Sequence, residues 1–266
     1  MAMTQELTVL LFIGIGLLSG LLGGLLGIGG GVVTVPFLYY IFSYSNQAPD
    51  HVMQVAVSTS LAASFVTSGM STYFQMRKKA VRLSILKLMT PALIVGCIFG
   101  SLIAHYMPSQ DLRLAFGLMA LILGGYFFFP KLPQPYIAAS PNRSLSLFAL
   151  FIGVLSSMLG IGGGSIVFPI LLGYQVPVQN ASGTSAASTF ITTLFGSITY
   201  LVIAWQKPEL PNTFGYIALP AFIAISIGSI VTTPFGVKLS HVLHISFIKR
   251  VFGACLFAIG LFMLIL

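Results

Sequence analysis

Long apolar runs broken by short clusters of charge and proline divide the chain, near residues 7–42, 52–75, 84–106, 112–130, 145–173, 180–205, 214–237 and 247–266. About 20 apolar residues in a helix cross a hydrocarbon core about 30 Å thick. The pattern therefore predicts an all-α integral membrane protein with about eight transmembrane helices. The first and fifth runs are too long for one plain crossing, and each contains three adjacent glycines. Each is expected to break there into a helix and a shorter or re-entrant piece. The apolar start, MAMTQELTVLLFIGIGLLSG, lacks a basic leader and reads as a retained first span.

The pattern also repeats. GLLGIGGGVVTVPFL at 24–38 returns as SMLGIGGGSIVFPIL at 157–171, and AVSTSLAASFVTS at 56–68 is answered by ASGTSAASTFITT at 181–193. The second pair aligns Thr59 with Thr184, Ser60 with Ser185 and Phe65 with Phe190. A weaker echo pairs Pro91 with Pro220. The expected organisation is a first membrane repeat over 1–129, a Pro-rich polar linker over 130–143 and a second repeat over 144–266. Repeats of this kind mark transporter folds, whose substrate sites lie near the membrane midplane where the repeats meet.

Composition agrees with the bilayer. The chain has 266 residues, 57% hydrophobic and 6% charged, with a mean hydropathy of +1.02, which excludes water as its main solvent. The net charge of +8 sits in short connections, where positive-inside topology explains it without a nucleic-acid partner. QMRKKAVRLSILK at 75–87 is the best cytoplasmic loop. Eight crossings would then put both termini inside, with Arg113, Lys238, Lys249 and Arg250 outside.

Three glycines in one helix cost about 2 to 3 kcal/mol relative to alanine. A break in lipid must have its backbone polar groups satisfied, so it belongs beside a cavity or ligand. The helix that restarts points unpaired N–H groups and partial positive charge into the break. Gly29, Gly30, Gly31, Gly162, Gly163 and Gly164 are therefore candidate anion-binding positions. Single glycines such as Gly96 and Gly100 read as helix-packing sites instead. Neither cluster is a nucleotide loop, because no Lys-Ser/Thr follows and no strand precedes. The hydroxyls of Ser58, Thr59, Ser60, Thr184 and Ser185 could donate to an oxyanion. Hydroxyls also bond back to helix carbonyls or join helices; repetition in register with the glycines is what singles these out.

The four acids, Glu6, Asp50, Asp111 and Glu209, fall at or outside the predicted membrane boundaries. No intramembrane carboxylate is left for proton or sodium coupling. Potential-driven movement fits better: about 2.3 kcal/mol per charge per 100 mV favours export of an anion from an inside-negative cell. Cys97 and Cys255 read as small buried hydrophobes. His241 and His244 are spaced i, i+3 without a third ligand, so no metal or cofactor is expected. Trp205, Tyr39, Tyr40 and Tyr106 near run ends read as interfacial anchors.

At LLGIGGGVVTVPFL, its return MLGIGGGSIVFPIL, and the STS and GTS segments that follow each, the chain resembles the sulfite exporter TauE/SafE family over nearly its full length. The resemblance implies a two-repeat permease, in bacteria usually in the cytoplasmic (inner) membrane, handling sulfur-containing anions such as sulfite or sulfonates. It implies the glycine and hydroxyl positions above as the substrate site. Ser58 departs from the pattern, with Gly183 at its place in the second half. The expected partners are a small anion and the lipid bilayer, and a homo-oligomer is compatible with both. Expected transport is alternating access by rocking of the halves. The alternatives are a channel-like anion pore and a permease for an unrelated small organic anion. An integral membrane enzyme would need His, Cys, Asp or Glu converging in the membrane, and the pattern offers none.

Overall fold

The computed structural model describes residues 5–44, 50–128, 143–205, 213–240, 242–243 and 245–266. Among them run ten helices: α1 (Gln5–Leu26), α2 (Gly31–Tyr44), α3 (Val52–Arg77), α4 (Leu83–Tyr106), α5 (Ser109–Phe128), α6 (Arg143–Leu159), α7 (Gly164–Gly173), α8 (Val178–Ile203), α9 (Leu219–Ser240) and α10 (Ile245–Ile265). A two-residue hairpin, β1 (Thr213–Phe214) and β2 (Ile217–Ala218), leads into α9. The eight apolar runs become ten helices because the first and fifth each break at their glycines. By length and composition, Glu6–Leu25 within α1 and the helices α3, α4, α5, α8 and α9 are long and apolar enough to cross a membrane. The predicted linker lies outside the described residues, apart from Arg143 at the start of α6.

Each broken run folds back on itself. Phe12 near the start of α1 packs on Phe42 near the end of α2, with ring centroids 6.4 Å apart. Ser144 near the start of α6 hydrogen-bonds the Tyr174 hydroxyl just beyond α7 at 3.0 Å. Both are helical hairpins with the glycine break as their tip. Turning the chain there requires left-handed backbone, and it recurs almost to the degree: φ is 71°, 82° and 75° at Gly27, Gly29 and Gly30, and 72°, 82° and 73° at Gly160, Gly162 and Gly163. An L side chain pays about 1 to 2 kcal/mol per residue in this region, which is why glycine stands at each turning position.

The long helices α3 and α8 run antiparallel through the centre. The start of α8 lies beside the end of α3, where the Asn180 amide donates to Ala80 O at 3.2 Å and Gln75 Nε2 donates to Ser182 Oγ at 3.4 Å. Midway, Phe65 stacks on Phe190 at 5.0 Å between centroids. Around this pair each half packs into the other. Gly16, Gly20 and Gly24 on α1 lie against Ile225, Ser229 and Thr233 on α9, and Gly96 and Gly100 on α4 against Leu150 and Val154 on α6. Gly117 and Gly124 on α5 meet α10. A methyl group at most of these positions would collide with the facing backbone. That small-residue contact replaces hydrophobic attraction, which is weak between helices already in lipid.

These packings fix which helix ends lie together. The ends of α3 and α9 and the starts of α4, α6, α8 and α10 share one end of the molecule. It carries Arg77, Lys78, Lys79, Arg82, Lys87, Arg143, Lys238, Lys249 and Arg250. The opposite end carries Glu6, Asp50 and Asp111, with Arg113 the one lysine or arginine there among the described residues, beside His51 and His105. Lys131, Lys207 and Glu209 lie outside the described residues. The expected grouping of Lys238, Lys249 and Arg250 with Arg113 is thus corrected. It assumed that both long runs cross, whereas each folds back, so the second half is inverted relative to the first. The proline echo fails too: Pro91 is inside α4, but Pro220 is the second residue of α9.

Candidate functional site: the meeting of two glycine tips

The hairpin tips meet between the midpoints of α3 and α8. A Cβ on Gly29 would touch the side chains of Thr189, Ser64 and Ser68. One on Gly31 would overlap the Gly160 carbonyl, and one on Gly164 would stand 2.5 Å from the Gly27 carbonyl. The tips therefore interlock, each backbone lying on the other. All six predicted glycines are brought together here.

Hydroxyls of α3 and α8 hydrogen-bond carbonyls at both breaks, among them Gly27 O and Gly160 O just past the ends of α1 and α6, where a helix leaves carbonyls without intrahelical partners. Ser60 donates towards Gly31 O (3.3 Å) and Gly160 O (3.4 Å), and its symmetry mate Ser185 donates to Gly164 O at 2.9 Å. Thr189 reaches Gly27 O at 3.0 Å and Thr192 reaches Gly162 O at 2.9 Å. Thr34, one turn into α2, bonds Gly30 O at 3.1 Å and the Ser60 hydroxyl at 2.8 Å. All these side chains are buried. On the N–H side, Val33 and Thr34 turn back to Gly30 O, and Ile166 and Val167 to Gly163 O. The N–H groups of Gly31, Val32 and Ser165 thus precede the first intrahelical bonds of α2 and α7, leaving two helix N-termini at the centre of an apolar chain.

The other predicted residues sit elsewhere. Thr59 accepts the Ala218 N–H at 2.9 Å, and its mate Thr184 accepts the Arg82 N–H at 3.0 Å. Each clamps the lead-in to the other half's fourth helix. Ser58 donates to Tyr216 O at 2.6 Å in the lead-in to α9. At the equivalent point Gly183 lies so close to Ala80 O that a Cβ would stand 2.6 Å from it, which explains the departure from the repeat. Missed as tip residues were Thr34, Thr189, Thr192 and the serines Ser156 and Ser165. A signal existed: Thr189 and Thr192 fall one and two turns beyond Ser185, on the same helix face.

The chain matches the family described as sulfite exporter TauE/SafE over residues 12–263. It belongs to that family. Among curated relatives, a probable membrane transporter protein of Haemophilus influenzae is 26% identical over 95% of this chain and 97% of its own length. One of Methanocaldococcus jannaschii is 29% identical over 96% of this chain and 95% of its own. A third, of Xylella fastidiosa, is 27% identical over 97% and 95%. No solved structure matches. This TauE/SafE chain is a multi-pass membrane permease.

Proposed function

We propose that the permease carries a small, singly charged sulfur oxyanion, such as a sulfonate or hydrogensulfite, across the cytoplasmic membrane. The observation that carries this is the pair of interlocked glycine tips, which aim two helix N-termini at one buried place. Such termini favour an anion without a charged side chain. The described hydroxyls and N–H groups at the tips are neutral donors, and leaving water costs a doubly charged ion far more than a singly charged one.

The basic end faces the cytoplasm in this scheme, in accord with the positive-inside rule. The two hairpins are re-entrant, one from each side, and the substrate-binding residues are Gly29, Gly30, Gly31, Gly162, Gly163 and Gly164 with Ser60 and Ser185 behind them. Ser58, Thr59 and Thr184 serve as clamps. The tight contact of the tips favours a carrier that opens to one side at a time over a standing pore.

Uptake of labelled sulfite, and separately of methanesulfonate, into proteoliposomes under an inside-positive potential tests the proposal. Saturable flux above that of protein-free vesicles is expected for at least one of them, with sulfate a poor substrate. Absence of flux for both would overturn the sulfur-oxyanion assignment and leave the permease class standing.

A further inference from the structure

The two tips match in backbone but not in side chains. Residues 133 apart correspond, so Ser156 and Ser165 stand in the second hairpin where Gly23 and Val32 stand in the first. At the first tip the hydroxyls are engaged: Thr34 bonds Gly30 O and Ser60, and Ser19 bonds Gly16 O at 3.1 Å. At the second, Ser156 Oγ and Ser165 Oγ are fully buried and have no hydrogen-bond partner among the described residues. Buried hydroxyls without partners are destabilising and uncommon in a native fold.

Ser156 lies against the turn that starts α7, and Ser165 follows that turn by two residues. Gly163 caps α7 with φ 73°, and the position its missing Cβ would take lies 3.1 Å from Ser156 Oγ and 3.3 Å from Thr192 Oγ1. Ser165 is the second residue of α7, whose N–H precedes the first intrahelical bond. Thr192 already donates to Gly162 O, and so does the Gly164 N–H, at 2.9 Å, so the uncommitted donors at this tip among the described residues are the two serine hydroxyls and the Ser165 N–H.

We infer that a single oxyanion rests on the second tip alone, two of its oxygens taking the hydroxyl hydrogens of Ser156 and Ser165 while a third faces the N-terminus of α7. The first tip is the structural counterpart that closes over it. This rests on the permease proposal above and adds to it the place and number of the bound ion. The near-symmetric fold thereby holds one ion where strict symmetry would offer two like sites.

The test compares full-length wild type with Ser156→Ala/Ser165→Ala in the same proteoliposomes, using methanesulfonate and sulfite as probes. The double variant should need at least about tenfold more anion for half-maximal flux, because hydrogen bonds to a charged group are the stronger kind. In detergent without anion it should melt at the same temperature as wild type or higher, having lost two unsatisfied hydroxyls, and it should lose the rise in melting temperature that the anion gives wild type. Ser156→Thr, which keeps a hydroxyl, should retain part of that rise. Unchanged half-saturation in a folded double variant, or a lower melting temperature without anion, would overturn the inference and show the serines to be water-bonded structural groups. Wild type that moves neither anion would instead fail the proposal on which it rests.

Discussion

Gly30 and Gly163 share a left-handed backbone, yet their surroundings differ enough to separate them. A methyl on Gly30 would stand 2.5 Å from the Ser19 carbonyl oxygen and 2.8 Å from Ser19 Cβ, while one on Gly163 would meet only serine and threonine side-chain atoms at 3.1 Å and beyond. Backbone strain of about 1 to 2 kcal/mol applies to both; the backbone collision applies to Gly30 alone. Gly30→Ala should therefore lower the melting temperature of the detergent-solubilised protein more than Gly163→Ala. An equal or reversed order would show that the tips relax freely. At this scale the glycine break was legible in the sequence, because three adjacent glycines in an apolar run have few other uses. The duties of the hydroxyls were not. Thr59 and Thr184 recur in register with the glycines, but what they serve is a backbone N–H more than a hundred residues away, Ala218 for one and Arg82 for the other, and no spacing rule reaches that far.

For the helices, hydropathy located the apolar runs but not their direction. A 36-residue run such as 7–42 is compatible with a tilted crossing and with a hairpin; what decides is the side-by-side placement of Phe12 with Phe42 and of Ser144 with Tyr174. Once both hairpins fold back, the second half inverts, and a divided distribution of positive charge becomes a sharply one-sided one. Membrane-sided labelling of single cysteines tests this. Lys79→Cys and Val242→Cys should react with an impermeant maleimide from the same face, and Tyr106→Cys from the other; Val242 is 73% and Tyr106 82% exposed. Labelling of positions 79 and 242 from opposite faces would restore the arrangement in which the second long run, 145–173, crosses.

Across the whole molecule, the tightest contacts join elements of different repeats. The packing cuts across the sequence halves, since glycine-tight surfaces join α1 to α9 and α6 to α4. Separating them would forfeit the close packing that holds these helices together in lipid. The bodies that fit the packing are α1, α2, α3 and α9 on one side and α4, α6, α7 and α8 on the other. They meet where α3 crosses α8 and the tips interlock. Transport by rocking then requires α3 and α8 to part and the tips to separate in alternation.

A reversible lock on that seam tests this directly. Ser68 Oγ and Thr193 Oγ1 lie 3.3 Å apart across α3 and α8, near enough for cysteines there to be joined after slight adjustment. In Ser68→Cys/Thr193→Cys protein, oxidation should stop sulfite or methanesulfonate flux into proteoliposomes, and reduction should restore it. Flux that continues with the disulfide shown to be formed would contradict alternating access between these two bodies and point to a pore through a static centre.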